Sequence, residues 1–224
     1  SHYDKALQID PNLPTIYVNL ATIFLDIRNF KKAIQYREIA LKLDYKSPGT
    51  FSNYLFDLQY VENFDPNFYL EKAKKYTSSI VPIDKESINK YQYDANPKKL
   101  RVGFVSSDLG RHPGGFFLLN TIRHLKNKNL ELYAFSNHER SDEIAQEFKT
   151  LFDVWRNIQY QSDLEAINQI RKDGIHILID CTGHTTNSRL TIFPYKPAPV
   201  QISYFGLGSL GIPEIDYFLG SSHL

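Results

Sequence analysis

Residues Leu100-Arg101-Val102-Gly103-Phe104-Val105-Ser106-Ser107-Asp108-Leu109-Gly110-Arg111-His112-Pro113-Gly114-Gly115 read as a strand, a turn and the start of a helix. The first six are mostly apolar. The next ten are small, polar or turn-forming, and a helical pattern begins at Phe116. The same grammar recurs downstream. Strands are expected over 100–105, 130–136, 153–158, 175–180, 200–205 and 216–219. Helices are expected over 116–126, 142–151 and 163–172. The last opens on Ser162-Asp163-Leu164-Glu165, a capping-box pattern. Alternation of this kind predicts a parallel, doubly wound sheet. Ligands of such sheets bind beyond the carboxyl ends of the strands, so the loops there carry the chemistry.

Those loops hold the candidate residues. Asp108, His112, Pro113 and Gly114 follow the first strand, and a glycine-rich loop entering a helix offers free N–H groups to an anion. Asn137-His138 follow the second. Cys181-Thr182-Gly183-His184-Thr185 follow the fourth, and Gly206-Leu207-Gly208-Ser209-Leu210-Gly211 the fifth. The last stretch matches a dinucleotide fingerprint in spacing only. That fingerprint requires a helix afterwards and an acid about 20 residues on. Here Pro213 follows at once and the next segment reads as a strand, so a dehydrogenase is disfavoured. His138 and His176 read as structural, Cys181 as a packing residue, and Arg189 and Lys196 as solvated charges.

Upstream, the sequence repeats. Ala6, Leu7, Ile9 and Asp10 align with Ala40, Leu41, Leu43 and Asp44 at a spacing of 34, the tetratricopeptide period. Tyr17, Leu20, Ala21 and Phe24 form the inner face of a first helix, Arg28-Asn29 the turn, and Ala33 and Ala40 the close approach of a second. Position 45, where that motif carries Pro, is Tyr45. Residues 1–45 are therefore expected to be tetratricopeptide repeats in a partial array. Residues 46–99 are expected to be a helical extension and linker. In the extension Phe51, Tyr54, Leu55 and Leu58 form one stripe, and Phe68, Ala73 and Tyr76 pack from the following helix. Residues 81–99 lose periodicity and read as the linker.

Composition narrows the function classes. The 224 residues carry 26 Lys+Arg against 25 Asp+Glu, a net charge of +1 that gives no global field for nucleic acid. Hydrophobic residues are 42%, with 15 Phe and 15 Tyr, which excludes a disordered chain. No apolar run approaches the ~18 residues of a membrane span. The single cysteine allows neither an internal disulfide nor a cysteine zinc site, consistent with a reduced, cytoplasmic compartment. The chain lacks Met, even at position 1, and opens in mid-pattern at Ser1, so a fragment is expected.

The motifs Leu100 to Asp108 with His112-Pro113, Asp173 to Asp180, Gly183-His184-Thr185, Lys196-Pro197-Ala198-Pro199-Val200-Gln201 and Ile215-Asp216-Tyr217 resemble the O-linked N-acetylglucosamine transferase / SPINDLY family of protein glycosyltransferases, its bacterial members most of all. Helical repeats followed by this domain is that family's layout. The resemblance implies tetratricopeptide-type repeats followed by a Rossmann-like domain over 100–224. That domain would be the N-terminal half of a GT-B fold, truncated before the nucleotide-binding domain.

It also implies an inverting enzyme without metal or other cofactor. Such an enzyme moves a sugar from UDP-N-acetylglucosamine, or alternatively GDP-fucose, to Ser or Thr of acceptor proteins recruited by the repeats. A homo-oligomer is among the assemblies left open, and the fragment alone is expected to be inactive. By the same likeness His112 and Asp108 are the catalytic candidates. Pro113, Gly114, Gly183, His184, Thr185, Gly206, Gly208 and Ser209 would line the substrate cleft. The sequence departs from the family pattern at Asp94, where relatives carry His, and at Gly114, where some carry Thr. It departs again in the loop after the fifth strand, shorter by one residue. The competing reading is a repeat-based interaction scaffold with a degenerate transferase domain.

Overall fold

The computed structural model describes residues 2–126, 128–204 and 208–220. They form two compact units, 1–82 with 209–212, and 83–208 with 213–224.

The first unit is helical: α1 (His2–Ile9), α2 (Pro14–Asp26), α3 (Phe30–Leu43), α4 (Pro48–Asp57) and α5 (Pro66–Ala73). Proline opens α2, α4 and α5, where its missing N–H costs nothing. Arg28, with φ of 57°, turns the chain out of α2. Asn29 then caps α3 by accepting the Lys32 N–H at 3.2 Å. Ala21, Ala33 and Ala40 are fully buried, so α2 and α3 pack as the repeat pattern anticipates. The buried face of α2 is Ile16, Leu20 and Ala21. Tyr17 and Phe24, expected inside, are half-buried with their rings against Tyr36.

A buried ion pair that no periodicity announced joins the helices. Arg37 Nε donates to Asp57 Oδ2 at 2.7 Å, and Arg37 Nη1 donates to the Val18 carbonyl at 3.0 Å. Of the packing residues expected on α5 and just after it, Ala73 and Tyr76 are buried, but Phe68 is exposed and its neighbour Tyr69 is buried instead. Tyr69 donates to the Ser209 carbonyl at 3.2 Å, and Gly211 (φ 68°) lies so close to Ala73 that a Cβ would stand 1.8 Å from its carbonyl oxygen. The third glycine of the fingerprint thus serves a close backbone approach. No helix follows it among the described residues, which removes the dinucleotide reading.

The second unit is a six-stranded, wholly parallel sheet in the order β3-β2-β1-β4-β5-β6. Its strands are β1 (Leu100–Ser106), β2 (Leu130–Ser136), β3 (Val154–Asn157), β4 (Ile177–Asp180), β5 (Val200–Tyr204) and β6 (Tyr217–Leu219). The crossover helices are α6 (Pro113–Leu125), α7 (Glu143–Leu151) and α8 (Asp163–Lys172). Val102 and Phe104 of β1 and Leu132 and Ala134 of β2 pack with Leu118, Leu119, Ile122 and Phe148 of the helices. Residues 205–207, and Gly206 with them, lie outside the described residues.

Residues 83–99 are strapped to this unit. The Asn89 N–H donates to Asn168 Oδ1 at 2.8 Å, and Arg171 donates to the Asn89 carbonyl at 2.7 Å and covers the Tyr91 ring. His176 is buried, as expected. Its Nδ1 accepts the Arg101 N–H at 3.0 Å and its Nε2 meets the Asp94 carbonyl at 2.7 Å. Asp94 itself only accepts the Asn96 N–H with its side chain.

Candidate functional site at the ends of β1 and β4

The strand order reverses between β1 and β4, so a crevice opens between the loops that follow them. Buried polar side chains end three adjacent strands, Ser106, Ser136 and Asp180, and Ser203 sits one residue before the end of the fourth. Ser107 stitches the two loops together. Its N–H donates to Thr182 Oγ1 at 3.1 Å and its hydroxyl to the Thr186 carbonyl at 3.2 Å. Arg140, from the loop after β2, donates through Nε to the Ser107 carbonyl at 3.1 Å. Its Nη2 stands 3.8 Å from Asp108 Oδ1.

Asp108 and His112 come together. His112 Nδ1 is 3.4 Å from Asp108 Oδ1. His112 is also the N-cap of α6: Nδ1 accepts the Gly114 N–H at 3.2 Å. One ring nitrogen cannot accept from Gly114 and donate to Asp108 at once. While the cap is made, a neutral ring carries its proton on Nε2 and presents a donor outward. When Nδ1–H turns to Asp108 instead, Nε2 becomes a proton acceptor. The His112 side chain is 40% exposed, so either form can meet a ligand. Pro113 is exposed at the first helical position beside it.

On the β4 side, Asp180 Oδ2 accepts the Gly183 N–H at 2.9 Å and Oδ1 the Thr182 N–H at 3.3 Å. Gly183 adopts φ of 62°, which only glycine takes without strain. Gly183 and His184 are buried and Thr185 is half-buried, its hydroxyl donating to the Thr182 carbonyl. Cys181 is half-buried, and burial pushes its thiol well up, away from reactivity.

Burial also pushes the Asp180 carboxyl up to about 7. The Gly183 and Thr182 N–H groups oppose the shift and the Asp108 charge adds to it. In the unfolded chain the group titrates near ~3.9. Between those values the folded state holds a proton that the unfolded state lacks, so stability is full at low pH and falls as pH rises through 7. The whole effect is at most ~4 kcal/mol. Urea unfolding at about pH 5 and about pH 8 should show this loss, and Asp180→Asn should flatten it. Equal slopes in both proteins would show that Asp180 is not its source.

Other residues singled out in the sequence have the following surroundings. Ser209 is held within the first unit: its carbonyl accepts the Tyr69 hydroxyl at 3.2 Å and its Oγ accepts the Gly211 N–H at 3.3 Å. Gly208 is exposed with φ of 126°. Arg189, expected in solvent, is largely buried. It donates to Asn137 Oδ1 and the Ile158 carbonyl and pairs with Asp163 at 2.8 Å. Lys196 pairs with Asp216 at 2.6 Å and Gln201 Nε2 ties the Phe193 and Glu214 carbonyls, so those motifs seat β6 beside β5. Ser107, Asp180 and Thr182 were quoted in the sequence motifs without a role, and Arg140 was not singled out. Asp180-x-Thr182-Gly183 carries a local signal, a carboxylate accepting N–H groups two and three residues on. Arg140 carries none.

This fold is a Rossmann-type α/β domain, a class whose ligands bind at the switch point, here between β1 and β4. The sequence pattern of glycosyl transferase family 41 matches residues 73–223. The chain belongs to that family. It is 27% identical over 199 residues to the probable UDP-N-acetylglucosamine–peptide N-acetylglucosaminyltransferase SPINDLY of Oryza sativa subsp. japonica, covering 84% of this chain and 21% of that protein. It is 30% identical over 167 residues to the SEC protein of the same description from Arabidopsis thaliana, covering 69% and 17%. A solved mutant of the Thermobaculum terrenum O-GlcNAc transferase superposes with a TM-score of 0.85 at 27% identity, over 99% of this chain and 43% of that one. The chain therefore spans about a fifth of the length of these curated relatives. Among the described residues no helix is long and apolar enough to cross a membrane.

Proposed function

We propose that this chain is part of a protein O-glycosyltransferase that moves N-acetylglucosamine from UDP-N-acetylglucosamine to Ser or Thr hydroxyls, GDP-fucose being the alternative donor. The observation that carries the reading is the His112–Asp108 pair at the switch point of a family 41 domain. The names of the relatives support the donor and the peptide acceptor.

In this reading the acceptor hydroxyl attacks the anomeric carbon with inversion, the bond to the diphosphate breaks, and the nucleoside diphosphate leaves. Two demands follow: an acceptor for the hydroxyl proton and donors for the charge growing on the diphosphate. His112, capping α6 through Nδ1, offers Nε2–H to that charge, and Asp108 lies on the proton path. The loop Gly183-His184-Thr185 and Pro113 wall the sugar site, with Gly206 and Gly208 in the loop after β5. The helical hairpins of the first unit are tetratricopeptide repeats that recruit acceptor proteins in the cytoplasm. The step needs no metal. The 224 residues span about a fifth of the length of these relatives, and in this reading they do not complete the step alone.

The test uses the product of the complete gene, incubated with a cell lysate and either UDP-N-acetylglucosamine or GDP-fucose. Release of nucleoside diphosphate with a matching mass gain on proteins, unaffected by EDTA, is expected with the first donor. Neither release nor transfer with either donor would overturn the reading and favour the scaffold.

A further inference from the structure

The loop between β2 and α7 is held by contacts that do not involve the Arg140 side chain. The Asn137 N–H donates to the Ser106 carbonyl at 2.9 Å and the Glu139 N–H to Gln159 Oε1 at 2.8 Å. Asp142 caps α7 by accepting the Ala145 N–H at 2.9 Å, and the same oxygen accepts the Arg111 N–H at 3.0 Å. The loops after β1 and β2 are thus tied from Ser106 to Asn137 and from Arg111 to Asp142.

The Arg140 side chain crosses to the first loop between those two ties. Its Nε donates to the Ser107 carbonyl at 3.1 Å. Gly110 leaves it room: a Cβ there would stand 2.5 Å from Arg140 Cδ and 2.9 Å from Asp142 Oδ2. Gly110 is not among the residues with positive φ, so its own backbone does not call for glycine. The guanidinium ends with Nη2 3.8 Å from Asp108 Oδ1, the two side chains being 23% and 10% exposed. Opposite charges attract more strongly at that depth than in water. His112 faces the same oxygen but is charged only when protonated, whereas an arginine is always charged.

We propose that Arg140 is a positioning residue for the transfer step, its charge fixing the Asp108 carboxylate at the end of β1. The inference rests on the transferase reading, in which Asp108 lies on the path of the hydroxyl proton. A carboxylate on that path must meet its partner at hydrogen-bond distance, so a swing of the side chain slows the step. Donor affinity does not depend on that swing. Arg140 acts through Asp108 and touches no substrate itself.

The test uses the product of the complete gene and measures thermal unfolding, and kcat and KM for UDP-N-acetylglucosamine. The variants are Arg140→Gln, Arg140→Lys, Asp108→Asn, and Arg140→Gln combined with Asp108→Asn. Glutamine keeps a donor for the Ser107 carbonyl and loses the charge; lysine keeps the charge. Arg140→Gln should unfold as wild type does and lose about tenfold in kcat with KM unchanged, within the range for coupled neighbours. Arg140→Lys should recover part of that loss. In the Asp108→Asn background, Arg140→Gln should cost nothing further. Wild-type kcat in Arg140→Gln would overturn the assignment, as would a loss confined to KM. Equal losses with and without Asp108→Asn would do the same, because Arg140 would then act other than through Asp108. Should Asp108→Asn leave no turnover to compare, equal kcat in Arg140→Lys and Arg140→Gln is the overturning result. A wild-type protein that turns over neither sugar nucleotide would remove the transferase reading and this inference with it. Wild-type turnover with an unaffected Arg140→Gln would remove this inference alone.

Discussion

His112→Ala in the complete protein should lower sugar transfer by about 10²-fold or more, the range for losing a positioned proton donor or acceptor. The side chain has two roles, and alanine removes both. It caps α6 through Nδ1, and its 40% exposed ring stands beside Asp108 in the loop after β1. Loss of the cap alone costs about 1 kcal/mol of stability and moves the loop that carries Asp108. His112→Asn separates the roles. Asparagine is among the best N-cap residues, so its oxygen can accept the Gly114 N–H while the imidazole is gone. The expected result is near wild-type unfolding with transfer still about 10²-fold down. Recovery of transfer in His112→Asn would make His112 a cap and nothing more. The readouts are released nucleoside diphosphate and the thermal midpoint of each variant.

Arg37→Met should destabilise the first unit by about 3–5 kcal/mol, the usual cost of stranding one charge of a buried pair. Arg37 and Asp57 are 3% and 2% exposed, and the guanidinium also serves the Val18 carbonyl. Three helices therefore lose a shared partner together. Burial raises the Asp57 carboxyl above its ordinary value and Arg37 opposes that rise, so the variant leaves a carboxyl that must take a proton to stay inside. Arg37→Met with Asp57→Leu should recover much of the loss, because neither charge is then left buried. Denaturant unfolding followed by far-ultraviolet helical signal measures the first unit. The single tryptophan, Trp155 on β3, reports the second. A helical transition unmoved in Arg37→Met would show that the pair contributes nothing net.

The strands and crossover helices of the second unit were legible because each rests on local order. Leu100 to Ser106 is apolar and short, and Ser162 with Glu165 closes a capping box over three residues. The alanines of α2 and α3 were legible for the same reason, since a 34-residue period repeats small residues where helices touch. Asp108 and His112 were singled out through the family resemblance, and the topology puts the loop that carries them at the switch point. Phe68 was misplaced because a helix of eight residues holds too few apolar positions to set its phase.

From the sequence alone came the order of elements, the parallel sheet, the family and the loops at the strand ends. All follow from periodicity, turn residues and motifs that act over a few positions. The tertiary structure decided what those loops do with their side chains. Ser107 reaches Thr182 across 75 residues, Arg140 reaches Ser107 across 33, and Arg37 finds Asp57 across 20. Such pairs depend on where the chain path brings two segments together, and no local preference encodes that meeting. The two glycines of α6 make the point most plainly. They are the same residue in consecutive positions, and only the atoms around them separate Gly115, which packing demands, from Gly114, where a Cβ would make ordinary contacts.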